Sequence, residues 1–264
     1  MNIRIKMNKK WAILALAVGI LFQTNAFAQK KGKGGDSAGD EYIFKVDKKE
    51  LQIQNLYIEA VNQSLLGNID DAVGMFLGVL KLDPDNHAAY YELSRINYGV
   101  GNYNDAESYA AKAVKLNPKN EWYYVYLAES KLNKGDYLGA AKTYENMLKE
   151  MPNLTEYYHD IAYMYAKGEM HEKAIETYDK IEKIEGVSEV VCLQKQSHYL
   201  QIEKLDKAVD EIEKLIDAFP SNKTYPILKA ELYEANGYHK EAIKAYQNIL
   251  EEDENNPQAL LAIS

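Results

Sequence analysis

The sequence repeats itself every 34 residues, and this period is the feature that most constrains its fold. An alanine marks each repeat without a slip, at Ala72, Ala106, Ala140, Ala174, Ala208 and Ala242. A fixed period of this length is typical of arrays in which short supersecondary units stack and bury each other's apolar faces. The period therefore predicts an elongated array of six equivalent units instead of one globular core.

Alignment on these alanines defines six units, which span residues 53–86, 87–120, 121–154, 155–188, 189–222 and 223–256. Each unit contains two apolar segments of helical period. In four units a glycine, suited to a left-handed helix C-cap, separates the segments, at Gly67, Gly101, Gly135 and Gly237. A proline closes four units, at Pro84, Pro118, Pro152 and Pro220. The spacing predicts a pair of helices in each unit.

A second small residue precedes the marker alanine by twelve positions in five units, at Ala60, Ser94, Ala128, Ala162 and Ala230. Small residues on both helices of a pair allow the helices to approach closely, and larger residues beside the crossing fill the remaining space. Units four and five depart from the turn pattern, since Glu169 and Glu203 stand where glycine is expected. We expect looser or differently angled turns in these two units.

Two segments carry a family resemblance: Gly101-Asn-Tyr-Asn-Asp-Ala106, followed by Lys115-Leu-Asn-Pro118, and Gly237-Tyr-His-Lys-Glu-Ala-Ile243. With the six in-phase units over residues 53–256, they resemble the tetratricopeptide repeat (TPR) family. The resemblance implies an all-α fold, a right-handed superhelical solenoid of antiparallel helix pairs. It also implies that the first helix of each pair lines the concave surface.

Two short segments flank the array. Residues 42–52 are expected to form a lead-in that covers unit one. Residues 257–264 begin a seventh unit and end within its first helix, with apolar side chains where a terminal helix normally has a polar outer face. We interpret them as the start of a seventh repeat in a longer array or as a terminal helix packed on unit six.

Residues 1–28 have the pattern of a cleavable signal peptide: basic residues, an apolar run over 11–22 and a small-x-small site at 26–28. The apolar run is shorter than the roughly 20 residues that cross a bilayer, although an uncleaved anchor is the alternative. Residues 29–41 have no large apolar side chain and read as a flexible linker. The leader has four positive charges and no negative one, so cleavage would change the formal net charge from −9 to −13. We therefore predict an exported protein without a membrane span after cleavage, periplasmic or associated with the outer membrane.

The sequence has no pattern that supports catalysis or cofactor binding. Its five histidines never lie four apart on one helix, and a single cysteine, Cys192, forms neither an intramolecular disulfide nor a cysteine-rich zinc site. The negative net charge argues against a nucleic-acid partner bound through phosphate attraction. We expect a protein that is not an enzyme, with no catalytic residue, cofactor or metal.

The family geometry places the second, fifth, ninth and twelfth positions of each unit on the concave groove. The candidate partner-binding residues at these positions are Tyr57, Tyr91, Arg95, Tyr98, Trp122, Glu129, His159 and Tyr163. Tyr, Trp and Arg dominate binding hot spots, so this set suits a protein or peptide partner. In the alternative interpretation, several tyrosine rings pack between adjacent helices and expose only their hydroxyls.

These features together predict an exported, non-catalytic TPR scaffold or adaptor in the bacterial envelope, where association with outer-membrane complexes is an option. The alternative is the N-terminal, extracytoplasmic sensor portion of a longer signalling protein. Lys, Asn and Arg at fixed groove positions, which some TPR domains use to bind a C-terminal carboxylate, are absent here except for Arg95. The identity of the partner and the oligomeric state stay open.

Overall fold

The computed structural model of the protein describes residues 47–264, which contain helices and no strand. The predicted signal peptide (1–28), the predicted linker (29–41) and the first part of the predicted lead-in (42–46) lie outside the described residues.

Thirteen α-helices form the described part of the chain: α1 Lys48–Leu66, α2 Ile69–Leu82, α3 His87–Gly99, α4 Tyr103–Leu116, α5 Glu121–Asn133, α6 Tyr137–Glu150, α7 Tyr158–Lys167, α8 His171–Glu185, α9 Glu189–Gln201, α10 Leu205–Ala218, α11 Thr224–Ala235, α12 His239–Glu252 and α13 Pro257–Ala262. A single 3₁₀ turn, Thr155–Tyr157, precedes α7. Each helix packs on the next one along the chain, and the first helices of units two and three, α3 and α5, also touch directly. The predicted all-α solenoid of helix pairs is confirmed.

The two ends of the array each have a capped helix. Asp47 caps α1 by accepting a hydrogen bond from the backbone amide of Lys49 at 2.9 Å. Residues 48–52 therefore continue the first helix of unit one instead of forming a separate lead-in. Asn256 caps α13, which packs on α12.

The small residues lie at the helix crossings, as their spacing predicts. All six marker alanines are at most 3% exposed, and their counterparts Ala60, Ser94, Ala128, Ala162 and Ala230 are completely buried. In unit two, the Ser94 hydroxyl donates a hydrogen bond to the carbonyl of Ala106 at 2.8 Å, so both helices of the pair contact at the two small positions. The larger Gln196 of unit five is only half-buried.

The turns inside the units share one backbone conformation. Gly67, Gly101, Gly135 and Gly237 have φ between 79° and 85°, as expected for left-handed C-caps. Glu169 and Glu203 adopt the same left-handed region, with φ of 55° and 58°. The expectation of looser turns in units four and five was wrong, because the helix pairs on both sides hold these glutamates in the conformation that glycine adopts elsewhere.

A buried ionic network joins unit four to unit five. The Lys195 ammonium on α9 is 2.6 Å from Asp179, 2.7 Å from Glu182 and 2.9 Å from Glu211, while its side chain is only 2% exposed. Lys214 adds ion pairs to Glu182 at 3.0 Å and to Glu211 at 3.1 Å. This set, called the Lys195 network below, connects α8, α9 and α10.

Candidate partner-binding groove

Four tyrosines of α3 and α5 form a connected group, called the tyrosine cluster below: Tyr91, Tyr98, Tyr123 and Tyr126. Tyr91 lies with its ring centroid 5.1 Å from that of Tyr123 and 5.5 Å from that of Tyr126. Tyr98 packs edge-on against Tyr126 at 5.5 Å. The cluster exists because α3 and α5 touch, so rings from two successive units meet on one face.

Arg95 lies on the same helix as Tyr91 and Tyr98 and is the cation of this face. Its guanidinium contacts the Glu92 carboxylate at 2.8 Å and donates a hydrogen bond to the Ser64 hydroxyl of α1 at 3.2 Å. Arg95 thus links units one and two, and its charge is already balanced by a neighbour one helical turn away.

Glu129 of α5 has a different environment. Its carboxylate accepts a hydrogen bond from the Tyr98 hydroxyl at 3.3 Å, and that hydroxyl in turn accepts one from the Asn133 amide at 3.2 Å. Burial raises the pKa of Glu129, the hydrogen bond from Tyr98 opposes this, and the negative charge of Asp160 adds to the increase. Within residues 47–264 no Lys, Arg or His side chain forms an ion pair with Glu129.

The tyrosine hydroxyls on this face stay neutral at physiological pH. Burial raises the pKa of Tyr98 and of Tyr123 to about 12. Burial also raises the pKa of Tyr91 and of Tyr57, and the neighbouring charge of Glu92 adds to both. Tyr57 lies on α1, where its ring packs edge-on against Phe76 at 5.5 Å. These hydroxyls can donate or accept hydrogen bonds and carry no charge.

The structure brings four of the eight predicted groove residues together: Tyr91, Arg95, Tyr98 and Glu129. Tyr57 lies on α1, the helix whose Ser64 contacts Arg95. The other three are more exposed and take no part in the cluster. Trp122 and Tyr163 are 53% and 49% exposed, and the Lys167 ammonium lies 5.7 Å from the Tyr163 ring centroid. His159 contacts the Glu185 carboxylate at 2.8 Å on the surface of unit four.

Two cluster members, Tyr123 and Tyr126, are absent from the predicted set. Tyr123 is 3% exposed, and its hydroxyl lies 2.7 Å from His87 Nδ1, so its ring packs between neighbouring helices. Tyr126 follows Tyr91 by 35 residues, one more than the period, so it occupies the position after a groove position. No sequence signal identifies Tyr126, because its contact with the α3 rings arises between two units.

Tyr91, Arg95, Tyr98, Tyr126 and Glu129 are half-buried, so each keeps part of its side chain at the surface. Two hollows of the described chain lie elsewhere. One, of about 530 Å³, runs along α1 beside Leu51 and Asn55, and one of about 230 Å³ lies between α6 and α8 beside Glu145 and Tyr165. Small-molecule sites are usually enclosed pockets, so an open row of rings better suits a ligand that lies along the surface.

Two further observations concern residues 47–264. They contain no group of three or more His, Cys, Asp or Glu side chains arranged to hold a metal ion. No helix among them combines the length and apolar character needed to cross a membrane.

Comparisons with solved structures find the same architecture. The structure of Naa15/Naa10 bound to HypK-THB matches with a TM-score of 0.62 and 18% identity over 81% of this chain, which spans only 34% of that one. A crystal structure of MamA matches with a TM-score of 0.51 and 21% identity over 66% of this chain and 96% of that one. A tetratricopeptide repeat protein from Parabacteroides merdae ATCC 43184 matches with a TM-score of 0.50 and 18% identity over 80% of this chain and 84% of that one. At these identities the likeness concerns the fold alone.

Sequence comparisons give the family. None of the curated protein sequences compared with the chain matches it. Models of the tetratricopeptide repeat match residues 66–121 and 197–257, and a further model of this repeat matches residues 155–186. These matches together cover more than half of the chain. The chain therefore belongs to the tetratricopeptide repeat family.

Proposed function

We propose that this protein is a non-catalytic scaffold or adaptor that binds a peptide or protein partner on the concave face of its solenoid. The observation that carries the proposal is the tyrosine cluster, which with Arg95 and Glu129 concentrates rings and hydrogen-bonding groups on one open face. Aromatic residues and Arg are enriched where binding energy concentrates. The helices are rigid before the partner arrives, so little conformational freedom is lost on binding.

The family and one structural relative support this function. Repeat arrays of this kind use their extended concave surfaces for binding. The Naa15/Naa10 solenoid was solved bound to HypK-THB, so a protein of this fold holds a protein partner. The absence of a catalytic pattern in the sequence is compatible with a scaffold.

We further propose that the protein acts in the bacterial envelope, in the periplasm or at the outer membrane. This proposal depends on residues 1–28, whose basic start, apolar run and small-x-small site match the pattern of an export signal. Fractionation of cells that express the full chain would test it. The mature protein should begin at Gln29 and leave the cytoplasm, while cytoplasmic retention with an intact N-terminus would contradict export.

A capture experiment tests the binding function. The mature chain, residues 29–264, is the bait in envelope extract, and a triple variant Tyr91→Ala, Arg95→Ala, Trp122→Ala is the groove variant. A matched control replaces exposed residues of similar chemistry on units five and six, Phe219→Ala, Tyr238→Ala and Lys244→Ala. A partner lost with the groove variant and kept by the control would support the groove. If both variants keep the partner and circular dichroism finds equal helix content, the binding site must lie outside this face.

A further inference from the structure

The tyrosine cluster has no cation over its rings among the described residues, in contrast to four other tyrosines of the chain. Four tyrosines elsewhere have a lysine ammonium 5.1 to 5.7 Å from the ring centroid, in the pairs Lys112–Tyr90, Lys167–Tyr163, Lys173–Tyr165 and Lys180–Tyr158. Within residues 47–264 no Lys or Arg stands in this way over Tyr91, Tyr98 or Tyr126. The rings of the tyrosine cluster are therefore without the cation that these four tyrosines have.

Glu129 also has no cationic partner among the described residues. The only arginine of this face, Arg95, is engaged by Glu92 at 2.8 Å. Among residues 47–264 the Glu129 carboxylate accepts a hydrogen bond only from a neutral hydroxyl, that of Tyr98. Burial raises the pKa of this carboxyl group, so its charged form would be stabilised by a cation placed beside it.

The predicted groove positions together carry a net negative charge, the same sign as that of the Glu129 carboxylate. Among the second, fifth, ninth and twelfth positions of the six units, one residue is basic, Arg95, and four are acidic: Glu129, Glu156, Glu231 and Glu234. Because Arg95 is neutralised by Glu92, the groove presents a negative field to an approaching ligand. A basic ligand is electrostatically complementary to this surface, and an acidic one is repelled.

We propose that the partner binds through an extended segment containing a Lys or Arg, whose charged group lies between the Glu129 carboxylate and the rings of Tyr98 and Tyr126. Tyr126 and Glu129 are three residues apart on α5 and so share a helix face. Tyr98 contacts both, with its ring 5.5 Å from Tyr126 and its hydroxyl 3.3 Å from Glu129. A carboxylate next to two aromatic rings gives a cation both an ion pair and a cation–π contact. This inference rests on the proposed function, since it names the chemistry of a ligand for the same groove.

A peptide library tests the inference without knowledge of the natural partner. The probe is a positional-scanning library of acetylated and amidated nonapeptides, screened against the mature chain. Peptides selected by the parent should be enriched in Lys or Arg at one position, and replacing that residue by norleucine should weaken binding by about tenfold. Glu129→Gln removes the charge and keeps the shape, and it should abolish the enrichment. The matched control is Glu251→Gln, an exposed residue of α12, which should keep it.

The outcomes separate this inference from the proposed function. Selection of acidic or uncharged peptides, no selection at all, or an enrichment that survives Glu129→Gln would overturn the cationic ligand. The groove function would then still stand if the Tyr91, Arg95, Trp122 variant loses the partner captured from envelope extract. If that variant keeps the partner, the proposed function fails whatever the library selects.

Discussion

Two glutamates hold a backbone conformation that glycine adopts elsewhere in the chain. Glu169 and Glu203 have φ of 55° and 58° at the turns where four other units have glycine. For a residue with a Cβ atom, this left-handed conformation costs roughly 1–2 kcal/mol. The turns form nonetheless, because the two helices on each side pack through their buried alanines. At the scale of the residue, helix packing in the repeat imposes the left-handed backbone conformation, although glutamate disfavours it.

Replacing Glu203 by Gly should therefore stabilise the protein. We expect an increase of about 1 kcal/mol in the free energy of unfolding, since the gain from relieved backbone strain exceeds the greater freedom of glycine in the unfolded chain. Urea unfolding followed by circular dichroism would measure it. The matched control is Glu176→Gly within α8, an exposed position with ordinary helical backbone, where the same change should cost about 1 kcal/mol. Destabilisation by both substitutions would mean that Glu203 is not strained.

His198 is a buried histidine with an unusual partner. Its Nδ1 lies 3.1 Å from Nδ1 of His171, and its ring stacks on Tyr178 with centroids 5.9 Å apart. One of the two nitrogens must donate and the other accept, so the pair requires one neutral ring. The Nε2 atom of His198 is buried without a hydrogen-bond partner among the described residues. Burial, and then the charge of His171, lowers the pKa of His198.

A lowered histidine pKa makes stability depend on pH in a defined direction. The unfolded chain binds a proton at His198 near pH 6.5, while the folded chain resists protonation to lower pH. The contribution of His198 is therefore fully present above about pH 6.5 and is lost as the pH falls through its folded pKa. Between pH 8 and pH 5.5, the parent should lose more unfolding free energy than His198→Phe, which keeps the stacking ring, and the difference should be at most about 1.4 kcal/mol for the one pH unit below 6.5. The exposed His239→Phe is the control, and equal losses in parent and His198→Phe would contradict the prediction.

Helix pairing was predictable from the sequence because it depends on short patterns repeated at a fixed period. Small residues at the crossings and glycine at the turns recur unit by unit, so six copies reinforce one another. Two other features could not be predicted from the repeated pattern, because they depend on contacts between units. Contact between Tyr126 and the α3 rings depends on the rotation between units, which no single unit encodes. In the aligned units, Lys195 stands where units two and four have the buried residues Leu93 and Ile161. Only the fold reveals the three carboxylates from α8 and α10 that surround it.

The Lys195 network makes the contact between α8, α9 and α10 dependent on charge balance. Desolvation opposes the charge of Lys195, but its hydrogen bonds to Asp179, Glu182 and Glu211 raise its pKa above the ordinary lysine value. The same contacts, from Lys195 and then Lys214, outweigh desolvation and lower the pKa of Glu182. A buried network of this kind adds little stability compared with apolar packing, but removal of one member leaves the others uncompensated.

Replacing Lys195 by Met should therefore cost about 3–5 kcal/mol of unfolding free energy at pH 7, although Met fills a similar volume. The penalty should shrink toward pH 4, because the unpaired carboxylates can then bind protons. The control is Lys207→Met, which removes an exposed pair with Asp210 and should leave stability nearly unchanged. Urea midpoints at both pH values would measure the effect. A penalty that is equal at pH 7 and pH 4 would indicate lost packing instead of lost charge balance.

At the scale of the whole molecule, the described residues 47–264 do not share a single core. Apolar contacts divide into groups along the solenoid, the largest from Tyr124 to Val191 in units three to five and the smallest from Ala230 to Ala259 at the C-terminal end. In an array of this kind each unit contacts only its neighbours, so stability is approximately a sum of unit terms and interface terms. The face proposed for binding lies on α3 and α5, beside the largest apolar group. The units that contain these helices each pack on a preceding and a following unit.

This organisation predicts a gradient of local stability that amide hydrogen exchange can measure. We expect the slowest exchange in α6, α7 and α8, since these helices contribute most of the large apolar group, and the fastest in α12 and α13, which have few buried side chains. Lys195→Met should accelerate exchange in α9 and α10 more than in α3 and α4, because a lost interface term affects its neighbours first. Uniform protection along the chain, or equal acceleration everywhere, would mean that the array unfolds as one cooperative unit. A stable centre next to a weaker end would keep the groove formed while the C-terminal units open.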